Sequence, residues 1–187
     1  MTLFYYIAAN RELPTGSFGK NGTVMTLMDY VTHVNPAEKD RFPMKTLLEK
    51  YPHGDKFIEI YETEEDAAGL YITGPLTGQD SSRMFKNRLV YQVNPDGGSF
   101  EMNDELKSSH PVLYQTSKKC LVELFNYLAH HMETGEEFEL YSCWADGLER
   151  FNDMPKKELD LVIELTTFTL GNEFEWKERQ MIRVKKY

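Results

Sequence analysis

Cys143 and His131 are the first pair in this chain whose side-chain types could do chemistry together. A thiol beside an imidazole gives up its proton more readily and becomes a nucleophile. Cys143 falls on an alternating stretch just beyond a helical stretch that carries His130 and His131, so a short connection could bring them close. The plainer reading is that Cys143 is a small buried apolar residue. A buried carboxylate in a cleft between two lobes is the other form of this enzyme reading.

The remaining chemical candidates fail on spacing. His130 and His131 are adjacent, hence about 100° apart around a helix, and cannot face one metal as an i, i+4 pair could. His33, His53 and His110 are scattered. Gly16-Ser17-Phe18-Gly19-Lys20 follows an apolar run, but Pro14 and Asn21 stand where a phosphate loop needs Gly and Ser or Thr. No G-x-S-x-G elbow is present. The chain offers no metal site and no cofactor site.

Acid dominates the charge. Thirty Asp and Glu side chains face 21 Lys and Arg, for a formal net charge of -9. Such a balance repels phosphate backbones and anionic lipid, which argues against nucleic-acid and membrane partners and favours a basic protein. In the tail, Glu173, Glu175 and Glu178 interleave with Lys177, Arg179, Arg183, Lys185 and Lys186 and leave a weak basic excess, which reads as a solvated strand face with ion pairs. The candidate partner-binding residues lie in one stretch. Glu137, Glu139 and Tyr141 share one strand face, and Asp146 follows in the turn. If Trp144 joins Phe138 and Leu140 in the core, Tyr141 points outward as an interface anchor.

The elements that would position these residues follow from apolar periodicity. Leu121, Leu124, Phe125, Leu128 and Met132 form one stripe, which predicts a helix over about 116–134, capped by Thr116 or Ser117 and stopped by Gly135. From Phe138 the period becomes two. Leu3 to Ala9 is an N-terminal strand. Asn94-Pro95-Asp96-Gly97-Gly98 turns a hairpin between Arg88–Val93 and Ser99–Met102, and Gly171-Asn172 turns another. A bulge near Thr166-Thr167 accounts for a shift of phase. The expected fold is α+β: a mostly antiparallel sheet, one long helix packed on a face, and a C-terminal three-stranded meander.

One domain over 1–187 is expected, with any lobe boundary near 103–109. Two cysteines are too few for a disulfide framework, and no stretch approaches the roughly 18 apolar residues of a membrane span. A cytoplasmic location in a bacterial-type cell follows as the expectation. The function expected is a non-catalytic binding protein, immunity- or inhibitor-like, docking a basic partner. A homo-oligomer paired through the last strand as a free edge is compatible with it.

Overall fold

The structure is a computed structural model, described over residues 2–77, 81–145, 151 and 153–187. It is α+β: a large mixed sheet, one long helix and several short ones. The chain divides into two compact units, one made of 1–20 with 68–187 and the other of 21–67.

The larger unit holds strands β1 (Thr2–Ala9) and β2 (Gly16–Phe18) before the break in the chain. The smaller unit follows with β3 (Thr23–Thr26), short helix α1 (Leu27–Asp29), α2 (Met44–Lys50), β4 (Phe57–Ile60) and α3 (Glu64–Ala67). The larger unit resumes with β5 (Gly69–Thr73), β6 (Leu89–Asp96), β7 (Glu101–Met102), α4 (Asp104–Ser109) and α5 (Pro111–His131). It ends with β8 (Glu137–Ala145), β9 (Leu161–Glu164), β10 (Phe174–Glu175) and β11 (Met181–Lys185). Residues 103–109 thus cap and form α4 inside the larger unit.

Seven strands lie in the order β2-β5-β6-β1-β8-β11-β9. Every pair is antiparallel except β11 with β9. The three C-terminal strands are therefore neighbours but not a meander. The last strand inserts between β8 and β9, because the long return through β10 lets it enter parallel to β9. It is not a free edge either; β2 and β9 are the edge strands.

Helix α5 covers one face of this sheet. Its Leu121, Leu124 and Leu128 pack among Ile7, Ile72, Val93, Leu140 and Ile182, one inward residue from each of five strands. The helix starts five residues earlier than the expected position 116. Pro111 supplies a preset φ at its first turn. Thr116 and Ser117 are not caps but buried mid-helix residues. Ser117 Oγ accepts the Ser99 N–H at 3.1 Å. The far end is closed by a lysine: Lys186 Nζ donates to the Ala129 and Met132 carbonyls, both at 2.7 Å.

Two expected turns did not form. Strand β6 runs through Pro95 to Asp96, paired with β5, and β7 leaves the sheet to pair with β10. The glycines serve another purpose. At Gly98 the chain runs so close to α5 that a Cβ would lie 2.8 Å from the Thr116 backbone. Near Gly171, β9 has already ended in a turn, where Thr167 and Phe168 donate to the Glu164 carbonyl. That turn also replaces the expected bulge. An aromatic cluster then holds the short β7–β10 ladder. Tyr5 lies 4.9 Å from both Phe100 and Trp176. Burial, with the carboxylates of Glu101 and Glu175, pushes the Tyr5 hydroxyl up to about 12.

The smaller unit is inserted between β2 and β5, which are themselves antiparallel neighbours. Its two ends are tied by the Asn21 N–H donating to the Asp66 carbonyl at 2.8 Å.

Gly98→Ala is expected to cost about 1–3 kcal/mol in urea unfolding, since the new methyl meets helix backbone that cannot yield. Gly171→Ala, whose Cβ meets nothing nearer than 4.0 Å, should change stability by less than about 0.5 kcal/mol. Equal effects would mean that the approach of residue 98 to the helix does not constrain the fold.

Candidate functional site

The face of the sheet turned away from α5 is also buried. Tyr6 and Ala8 of β1, Val90 of β6, Tyr141 and Cys143 of β8, and Met181 of β11 form a second apolar cluster with Met84 and Phe85. Antiparallel partners directly opposite share a face, and here Tyr6 lies opposite Tyr141, and Tyr141 opposite Met181. The segment around 81–87 lies over them. Phe85 stands edge-on to Tyr141 at 6.2 Å and to Phe151 at 5.6 Å.

This second layer overturns the outward placement of Tyr141. Its exposure is 0%, and its hydroxyl donates to the Asp153 carbonyl. Burial raises its pKa. Trp144 is the residue left partly in water, at 42% exposure. It follows Tyr141 by three positions, and the second apolar layer takes the odd-numbered residues of β8 while α5 takes Phe138 and Leu140.

Glu139, on the Tyr141 face, is 3% exposed. Its Oε2 accepts the backbone N–H groups of Lys86 at 2.7 Å and Asn87 at 2.9 Å. Asn87 in turn donates its side-chain amide to the Ala8 and Glu137 carbonyls, at 3.1 and 3.0 Å. Glu139 is thus a fastener for the covering segment. It cannot present its charge to a protein partner without releasing that segment. Glu137 is partly exposed and pairs across strands with Lys185 at 3.4 Å. Asp146 lies outside the described residues.

Beside this fastener a cleft of about 400 Å³ opens, walled by Met84, Phe85, Met154, Pro155 and Met181. Glu139, Lys86, Lys157, Asp160 and Arg183 also line it. Arg183 lies directly opposite Glu139 on the neighbouring strand. Its Nη2 is 3.6 Å from Asp160 Oδ2. Its Nε is buried and makes no hydrogen bond among the described residues. Lys86 and Glu139 also border a second hollow of about 370 Å³, with Asn10, Asn87 and Glu137.

The thiol–imidazole pair is not brought together. Cys143 is 1% exposed in the second apolar layer, whereas His131 is on α5, on the other face of the sheet. His131 packs against Tyr127 with ring centroids 4.5 Å apart and the rings tilted by 59°. Burial, helped by His130 and Arg11, lowers its pKa. The other thiol, Cys120, is pushed up to about 11 by burial. Among the described residues no three His, Cys, Asp or Glu side chains group as a metal ion would require. No helix among them is long and apolar enough to cross a membrane.

The smaller unit carries a surface of another kind. In the β3–β4 ladder Val24 lies opposite Glu59 and Thr26 opposite Phe57, so these four share a face. Val24 is 63% exposed and Phe57 68%. Residues 21–67 hold ten acidic side chains against five basic ones. Glu59, with Glu62, Glu64, Glu65 and Asp66, is an acidic cluster already visible in the sequence, but the exposed apolar side chains beside it are not. Val24 and Phe57 belong to runs that read as ordinary strands, and two strands alone cannot bury both their faces.

Comparison with family models, curated proteins and solved structures finds no match.

Two results are expected from these contacts. Glu139→Ala should destabilise the protein by about 2 kcal/mol in denaturant unfolding, because two backbone N–H donors, that of Asn87 buried and that of Lys86 partly buried, lose a charged acceptor; a neutral effect would mean that the segment is held by its apolar contacts alone. Neither cysteine should react with an aromatic disulfide reagent at pH 8 in the folded protein, and both should react in denaturant. A fast thiol in the folded state would restore the nucleophile reading.

Proposed function

We propose that this chain is a non-catalytic binding protein that docks a basic protein partner, in the manner of an immunity or inhibitor protein, through the β3–β4 face of residues 21–67. The observation that carries this reading is the pairing of exposed Phe57 and Val24 with Glu59 on one face of an acid-rich insertion. Exposed aromatic and branched side chains supply contact area, and the surrounding acids supply steering. The residues first considered for this role, Glu137, Glu139 and Tyr141, are occupied in ion pairing or buried. That argues for moving the docking face off β8.

Charge complementarity of this kind accelerates encounter and is screened by salt, with a Debye length of about 10 Å at 0.1 M. Capture with the whole chain as bait should recover one stoichiometric basic protein at about 50 mM salt and lose it at about 500 mM. Glu59→Lys should slow association, and Phe57→Ala should speed dissociation by about tenfold or more. Both positions are exposed, so thermal unfolding should be unchanged. Recovery of the same proteins by the wild type and the double variant, or no salt dependence, overturns the reading.

A further inference from the structure

We propose that the cleft beside Glu139 is a binding site for a small carboxylic acid with an apolar body, held at its carboxylate by Arg183. Three observations point to this ligand class. The first is a reversal of charge. In a chain with 30 acidic and 21 basic side chains, the cleft is lined by four cations, Arg83, Lys86, Lys157 and Arg183, and by two carboxylates. Both carboxylates are engaged: Glu139 holds two backbone N–H groups, and Asp160 is the ion-pair partner of Arg183. Arg83, Lys86 and Lys157 form no ion pair with a described residue, so the cleft is left with a net demand for negative charge.

The second is an unmet donor. Arg183 Nε is buried without a hydrogen-bond acceptor, and its Nη2 lies 3.6 Å from Asp160, longer than a good hydrogen bond. A buried unpaired donor on a charged group is costly; Nε itself is closed to the cleft as the side chain stands, and a planar acceptor meets the guanidinium at the exposed third of the side chain. A guanidinium fork matches a carboxylate in two parallel N–H···O bonds.

The third is the wall. Met84, Met154 and Met181, with Phe85 and Pro155, give this cleft a largely apolar lining. Methionine adapts its shape to a ligand at small cost. These walls exclude the neighbouring classes. A phosphate or a nucleotide needs donors around its whole periphery and would lose hydration against thioethers. A neutral apolar molecule would fill the walls and leave the Arg183 donor unmet. A cation would be repelled. The size of the cleft, about 400 Å³, is at the lower end of the range for small-molecule sites, which suits a medium-length acyl chain or a substituted ring.

Isothermal titration calorimetry of the whole chain with sodium octanoate at pH 7 tests the proposal, where the acid is ionised. One octanoate per chain should bind with a Kd below about 1 mM. Octan-1-ol, which has the body without the charge, and inorganic phosphate, which has charge without the body, should each bind at least about tenfold more weakly. Arg183→Gln should weaken octanoate by about tenfold or more while leaving octanol unchanged. Met154→Glu alters an exposed wall residue and should fold normally; it should weaken octanoate by a similar factor through repulsion. No octanoate binding at millimolar concentration, equal affinity for octanol or for phosphate, or undiminished octanoate binding by folded Met154→Glu, would overturn it.

Discussion

Burial of the Tyr6–Ala9 half of β1 on both faces and along both edges is the constraint on which the larger unit depends. It pairs with β6 on one side and β8 on the other. Ile7 and Ala9 face α5, while Tyr6 and Ala8 face the segment around 81–87. Along Tyr6–Ala9 almost no side chain is left for water, so the neighbours of this half must be correct on every side, whereas Thr2 is exposed and Leu3, Phe4 and Tyr5 are partly so. One register slip would exchange Tyr6 for Ile7 and put a hydroxyl among the leucines of α5. The other strands can be ranked by their distance from β1, ending at β2 and β9, which are short. Short edges limit pairing with other chains.

Covering the second face costs the fold a polar device. The segment around 81–87 has little regular structure, so its N–H groups lack a ladder and require acceptors. Glu139 supplies one for two of them, and Asn87 returns two bonds to the ends of β1 and β8. Arg183, opposite Glu139, makes its ion pair with Asp160 instead, at 3.6 Å. The cleft thus holds Arg183 with one long ion pair and a buried Nε that has no acceptor among the described residues.

The smaller unit follows a different balance. Two strands and several helical turns bury Leu27 and Val31 but not all the apolar residues they carry, and acids outnumber bases there two to one. Phe57 and Val24 remain exposed on a face that also carries Glu59. Surplus charge surrounds the apolar side chains that packing leaves uncovered. The same combination of exposed rings and surplus charge is what a docking face requires.

The sequence by itself determined the α+β class, the apolar stripe of α5 and the strands β1 and β8, because those depend on periods of 3.6 and 2 that each segment carries alone. It did not determine where the strands go. Asn94-Pro95-Asp96-Gly97-Gly98 has the composition of a hairpin, yet its glycine is needed for contact with α5, a partner distant in the chain. Alternation along β8 separated Phe138 and Leu140 from Glu139 and Tyr141 correctly, but alternation cannot say whether the second face meets water or another layer. The one local hint was the unbroken apolar run from Leu3 to Ala9, which suits a strand buried on both sides. Only the tertiary structure brought a covering segment some fifty residues away onto Tyr141 and Cys143, set Arg183 opposite Glu139, and parted the thiol from His131 by the thickness of a sheet. Each depends on long-range pairing, which local sequence does not encode.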